Sequence, residues 1–193
     1  MQPDAARSGL ERFFANQRAK EHVLVELLDH LGVGPGDRLL DVRCGPGLVS
    51  MLAATRVGPA GGVWALDSRA DVLEFLRAQI AERGLSGIHT VLAGDIAAFA
   101  LPDPAINRFV IADALHRTQG AEALVHRLGR VLPPGARGAV SDYDPDVPRR
   151  LGAQTADRLP PATIRGWLES AGFTVAETWR PPDEHYAFLV ARP

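Results

Sequence analysis

Residues 38 to 47 read Arg38-Leu39-Leu40-Asp41-Val42-Arg43-Cys44-Gly45-Pro46-Gly47, and this run decides how the rest of the chain is parsed. Arg38 to Val42 is a short apolar segment of the kind that forms a buried strand. Gly45 and Gly47 predict a tight turn, because a residue without a Cβ accepts backbone angles that other residues avoid. Leu48 to Thr55 then has the pattern of a helix start. Strand, glycine turn and helix in that order open a crossover in which a ligand meets the backbone at the carboxyl end of the strand.

Upstream of this run, Leu10, Phe13, Phe14, Val23, Leu24, Leu27, Leu28 and Leu31 recur at mostly helical spacings. They predict one or two amphipathic helices between Ala5 and Leu31, ending at Gly32. Residues 1–32 would thus form a helical extension, suitable as a lid. Downstream, Val63 to Leu66 predicts a second strand that ends on Asp67, followed by a helix through Val72, Leu73, Phe75, Leu76 and Ile80. A third strand, Ile88 to Leu92, stops before Gly94-Asp95, and a fourth covers Asn107 to Ala112. A helix over Ala121 to Val131 leads to a fifth strand, Arg137 to Asp142. Residues 145–161, rich in Pro, Asp and Arg, show no period and read as a loop over the site or a surface excursion. After a helix from Thr163 to Ser170, the sixth and seventh strands, Phe173 to Thr178 and Tyr186 to Ala191, flank Pro181–Glu184 as an antiparallel hairpin. Strands alternating with helices along the whole length predict one α/β domain over residues 1–193, a doubly wound, Rossmann-like sheet with helices on both faces.

Composition narrows the function classes. The 193 residues are 46% hydrophobic and 23% charged, ordinary for a folded protein, and 21 basic against 23 acidic residues leave a net charge of -2. Such a balance gives no field that would draw the chain onto nucleic acid. Cys44 is the sole cysteine, which excludes an intrachain disulfide and a multi-thiolate metal site, so no metal is expected. Lys20 is the only lysine; every other basic residue counted is arginine. No apolar run reaches the roughly 18 residues that a membrane helix needs. The first residues lack an apolar stretch ahead of a cleavage-like site, and the expectation is a cytoplasmic protein. An exposed apolar stripe on the N-terminal helices could cover a site or form a homodimer.

Several segments together resemble the class I S-adenosylmethionine-dependent methyltransferases. Asp41, Gly45 and Gly47 match the family's Asp/Glu-x-Gly-x-Gly-x-Gly motif, with Arg43 standing where its first glycine is usual. Val63–Ser68, Gly94-Asp95, Ala114-Leu115-His116, Arg130–Gly135 and Ala171-Gly172-Phe173 are similar to later segments of that family, in the same order. The resemblance implies strand order 3-2-1-4-5-7-6 with strand 7 antiparallel. It also implies S-adenosylmethionine as cofactor and methyl transfer to a small-molecule acceptor that the sequence does not name.

Carried onto these positions, the resemblance gives the loop residues Asp41, Arg43, Cys44, Gly45 and Gly47 to the amino-acid end of the cofactor. Asp67 would accept from the ribose hydroxyls and Asp95 from the adenine amino group, with Ile96 and Ser68 or Arg69 around the ring. Ala112 and Asp113 would border the sulfonium and the acceptor. Were an acceptor to lose a proton, Asp113, His116, His185 and Tyr186 are the candidate catalytic groups, histidine being the best match near neutral pH. Plainer roles stand beside these: Ser68 as a helix cap, Cys44 as a small buried side chain, His116 as packing beneath the site, His185 and Tyr186 as a structural pair. An inward-pointing Arg43 could pair with the cofactor carboxylate but would be repelled by the sulfonium. Two other function classes remain: a protein that binds in the same crevice without turnover, and a dinucleotide-dependent oxidoreductase. The glycine spacing, which is not Gly-x-Gly-x-x-Gly, disfavours the second.

Overall fold

The computed structural model describes residues 3–150 and 152–193, with side chains from residue 8 onward; the first two residues of the predicted N-terminal stretch lie outside the described residues. Among the described residues six helices and seven strands follow one another: α1 (Pro3–Arg18), α2 (Glu21–Leu31), β1 (Arg38–Val42), α3 (Leu48–Val57), β2 (Gly62–Asp67), α4 (Ala70–Glu82), β3 (Ile88–Leu92), β4 (Arg108–Ala112), α5 (Ala121–Val131), β5 (Arg137–Tyr143), α6 (Pro161–Ser170), β6 (Thr174–Trp179) and β7 (His185–Ala191). Short 3-10 turns occupy Leu115–Arg117 and Thr155–Asp157. The sheet order is β3-β2-β1-β4-β5-β7-β6, with β7 antiparallel to both of its neighbours.

Side-chain alternation along the strands divides the interior between two layers. Leu39, Val63, Ala65, Val110, Ala139, Ala187 and Leu189 face α2, α3 and α4, meeting Leu24, Leu27, Leu28, Leu73 and Leu76. Leu40, Trp64, Leu66, Phe109, Ile111, Tyr186, Phe188 and Val190 face the other way, onto Leu124, Leu128, Ile164 and Leu168 of α5 and α6. The N-terminal segment is therefore divided in role: α2 is a core helix with five buried apolar residues, while α1 lies across the carboxyl ends of the strands. Among the described residues no helix is long and apolar enough to cross a membrane.

The predicted elements are all present, with ends displaced by a residue or two. β5 extends one residue beyond the predicted Asp142, because Tyr143 pairs with His185 across the antiparallel ladder. Strand order reverses between β1 and β4, so their carboxyl ends open a crevice where the chain turns away on both sides. Residues 43–47 and 112–117 border it.

The tightness of the sheet's rear layer gives a stability prediction. A Cβ at Gly138 on β5 would fall 2.1 Å from the ring of Phe109, which is itself fully buried. Gly138→Ala is expected to lower the unfolding free energy by about 1–3 kcal/mol, the usual range for overpacking, measurable by urea denaturation. A neutral result would show that the Phe109 ring has room to shift.

Candidate active site

The turn after β1 is bound to the turn after β2 by one carboxylate. Asp67 Oδ2 accepts from the Gly45 backbone N–H at 3.1 Å, while Oδ1 accepts from the Arg69 backbone N–H at 3.1 Å and from Arg43 Nη1 at 3.1 Å. Arg43 Nη1 also donates to Ser68 Oγ at 2.7 Å. Ser68 is therefore the partner of Arg43, and α4 begins after Arg69 with no side-chain cap. Gly45 and Gly47 have φ of 55° and 92°, the left-handed region that the sequence leads one to expect for glycine. A Cβ at Gly47 would lie 2.3 Å from Leu76, so helix packing also requires a glycine there.

Asp41 braces the helix after the loop more than the loop itself. Its Oδ2 accepts from Ser50 Oγ at 2.5 Å. The carboxyl is pushed up to about 7: burial is the main cause, the Ser50 hydroxyl opposes it and the Asp67 charge adds to it. Cys44 is buried, and burial followed by the charges of Asp41 and Asp67 raises its thiol pKa well above the ordinary value, so it remains a thiol. Asp95 is exposed and its Oδ1 accepts from the Ala97 backbone N–H at 2.8 Å, while Ile96 is buried in the core next to it.

Two cavities meet over this loop. The smaller, of about 110 Å³, is lined by Arg43, Gly45, Asp67, Arg69, Val72, Arg117 and Phe13. The larger, of about 230 Å³, has Ala112, Asp113, His116, Arg117, Lys20 and Tyr143 in its wall, with Phe13, Asn16 and Gln17 of α1 above it. Phe13 borders both, its ring 3.3 Å from the place a Cβ at Gly45 would take. Of the predicted residues, Arg43, Gly45 and Asp67 come together in the first cavity and Ala112, Asp113 and His116 in the second; Asp95 and Ile96 line neither.

The larger cavity carries two polar clusters. His116 Nδ1 is 2.7 Å from Asp142 Oδ1, and Asp142 Oδ2 accepts from the His116 backbone N–H at 3.0 Å. A buried carboxylate on Nδ1 assigns the proton to that nitrogen and leaves Nε2 with its lone pair. In the second cluster the carboxylate of Asp113 accepts from Lys20 Nζ at 2.8 Å and lies 3.2 Å from His185 Nε2, and Lys20 also donates to the Tyr143 hydroxyl. Burial would raise the Asp113 pKa, but the hydrogen bond and charge of His185 and the Lys20 ammonium hold it well below the carboxylate range. Tyr143 is driven the other way by burial and by the Asp113 charge, and stays a phenol.

His185 lies behind Asp113, and Tyr186 does not reach the cavity at all. Alternation on β7 turns Tyr186 onto the α5/α6 layer, where its hydroxyl donates to the Leu159 carbonyl at 2.8 Å. Sequence reasoning missed Lys20, Tyr143, Asp142, Arg117 and Phe13 as site residues. Two signals were available: Lys20 is the only lysine, and Asp142 and Tyr143 fall at the carboxyl end of a central strand, where such sheets place their ligands.

The described residues of the aperiodic stretch, 145–150 and 152–160, are held by a buried ion pair. Arg158 pairs with Glu184, both side chains shut off from solvent, and donates to the carbonyls of Asp144, Val147 and Ala153. Glu184 in turn accepts from the backbone N–H groups of Arg150 and Gly152. This places Gly152 and Ala153 in the cavity wall.

A seven-stranded sheet of this order, with a glycine turn and carboxylate at its reversal point, is the architecture of the S-adenosylmethionine-dependent methyltransferases. Residues 39–135, half of the chain, match the family described as a methyltransferase domain, and the chain belongs to that family, whose cofactor is S-adenosylmethionine. It is 30% identical over 82% of its length to 2-phytyl-1,4-naphtoquinone methyltransferase of Synechocystis sp., covering 62% of that protein. It is 37% identical over 73% of its length to nocamycin O-methyltransferase of Saccharothrix syringae, covering 45% of that protein. The chain thus spans about half to three fifths of these relatives. The fold agrees with that of a SAM-dependent methyltransferase from Aquifex aeolicus at a TM-score of 0.87, 20% identity and coverage of 96% and 98% of the two chains.

The residues present fit the cofactor on one condition. Gly45 and Gly47 leave the loop backbone without side chains, and Asp67 would be the carboxylate offered to the ribose, but it already accepts from three protein donors, and Arg43 would have to leave it before ribose hydroxyls could enter.

Two predictions follow from the buried charges. Asp41 holds its proton to a higher pH when folded than when unfolded, so its contribution to stability falls as pH rises from about 4 through about 7. Asp41→Asn, which keeps an oxygen for Ser50, should match the parent protein near about pH 4 and melt above it near about pH 8; identical pH profiles would contradict the raised pKa. Arg158→Met removes a buried ion-pair partner of Glu184 and the donor to three carbonyls, and should cost about 3–5 kcal/mol, read by thermal denaturation.

Proposed function

We propose that the protein transfers the methyl group of S-adenosylmethionine to a small-molecule acceptor held in the larger cavity, and that His116 takes the proton the acceptor loses. The observation that carries this reading is the His116–Asp142 pair in the wall of that cavity, beside the glycine turn. Gly45, Gly47 and Asp67 would hold the cofactor, which supplies an electrophilic methyl group when bound.

The chain's own residues do the remaining work. Asp142 fixes the His116 ring and stabilises the imidazolium formed when Nε2 accepts a proton. Lys20, held by Asp113 and Tyr143, presents an ammonium that favours an anionic acceptor oxygen. Phe13 and Gln17 of α1 cover the glycine turn and keep water from the space between acceptor and methyl donor. Positioning and charge placement of this kind account for much of the rate in a displacement reaction.

The test is S-adenosylhomocysteine formation with a panel of phenols, enols and hydroquinones. Asp142→Asn removes the charge that stabilises the imidazolium, so turnover should fall by about 10²–10⁴ with acceptor KM changed little. Turnover indifferent to both His116→Gln and Asp142→Asn would remove His116 from the reaction. A second reading, binding without turnover, draws on Arg43 lying on the Asp67 carboxylate; it predicts that the cofactor binds and is recovered unchanged with every acceptor and with cell extract.

A further inference from the structure

Arg43 has a φ of 60°, in the left-handed region where a side chain is strained and a glycine is not. Its guanidinium is the one donor on Asp67 that comes from a movable side chain; the other two, Gly45 and Arg69, donate from the backbone. A carboxylate offers about four acceptor directions, so three protein donors leave too few for two ribose hydroxyls. Arg43 Nε is buried without a partner, so the guanidinium still has a donor unused where it rests.

Arg117 borders the same small cavity. Its guanidinium lies 4.6 Å from the centre of the Phe13 ring, and among the described residues no carboxylate is within ion-pair distance of it. Its pKa is lowered by desolvation; the nearby Asp113 charge opposes the drop and the like charge of Arg43 adds to it. Arg43 leaving Asp67 would therefore bring a second guanidinium loose beside one that has no carboxylate in direct contact. That displacement is unfavourable unless the ligand delivers an anion to the same place.

We propose that Arg43 is a specificity residue: it yields Asp67 only to an adenosyl ligand that carries an α-carboxylate, which Arg43 and Arg117 then bind together. The inference rests on the cofactor reading above and adds to it a discrimination that a glycine at position 43 would lack. Neutral adenosyl ligands, such as 5′-methylthioadenosine, have a ribose to offer Asp67 but nothing for the displaced guanidinium.

Titration calorimetry on the full chain, with S-adenosylhomocysteine, its decarboxylated analogue and 5′-methylthioadenosine, tests this without turnover. In the parent protein the carboxylate-bearing ligand should bind far more tightly than the other two. In Arg43→Gly, which suits the left-handed backbone, 5′-methylthioadenosine should gain about tenfold or more and the preference should shrink by at least that factor. In Arg117→Met the latch on Asp67 remains; S-adenosylhomocysteine should weaken about tenfold and 5′-methylthioadenosine stay unchanged. An unchanged ratio among the ligands in Arg43→Gly, or equal weakening of all three, would overturn the inference while leaving the cofactor reading intact. Failure of every ligand to bind either the parent protein or Arg43→Gly would overturn the cofactor reading and the inference with it.

Discussion

The carboxylate of Asp67 ties together two turns that come from different crossovers. By accepting the Gly45 amide it fixes the loop after β1, and by accepting the Arg69 amide it fixes the start of α4. The glycine turn and the small cavity next to it are both built around that nearly buried carboxylate. Arg43 supplies the compensating cation, and the turn adopts a backbone angle foreign to arginine in order to bring it there. The strain and the ion pair are two sides of one arrangement: the same residue that costs the loop its ease of conformation keeps its anchoring carboxylate from being buried alone.

A second constraint comes from the opposite side of the crevice. Asp142 and Tyr143 lie next to each other at the end of β5 and point to different clusters, one to His116 and one to Lys20 and Asp113. Antiparallel pairing with β7 carries the strand those extra residues outward and places His185 directly behind Asp113. The chemistry of the larger cavity is thus set by the reversed direction of one strand, which a wholly parallel sheet would not supply in this place.

Elements and topology were legible because they depend on local period and on the order of strands and turns. Leu39, Val63 and Val110 against Leu40, Trp64 and Phe109 show the two-sided burial directly, and the same alternation separates His185 from Tyr186 on β7. The site was legible only where backbone sets it: Gly45, Gly47 and Asp67 stand at strand ends and could be placed by counting. Lys20 and Arg117 could not, since their roles come from α1 folding back over residues distant in sequence. Nor could the partner of Arg43, because a side chain with four torsions and a left-handed backbone has no orientation that spacing can fix. The segment from 145 to 160 was opaque for a related reason: it has no period, and its shape comes from Arg158 reaching carbonyls that only the folded chain assembles.

Lys20 has a further consequence in chemical reactivity. It is the only side-chain amine in the sequence, and it is buried between α1 and the floor of the larger cavity, bound to a carboxylate and a phenol. Beside the α-amine, it is therefore the one amine a lysine-selective reagent could modify, and its modification would remove the donor that Asp113 and Tyr143 share.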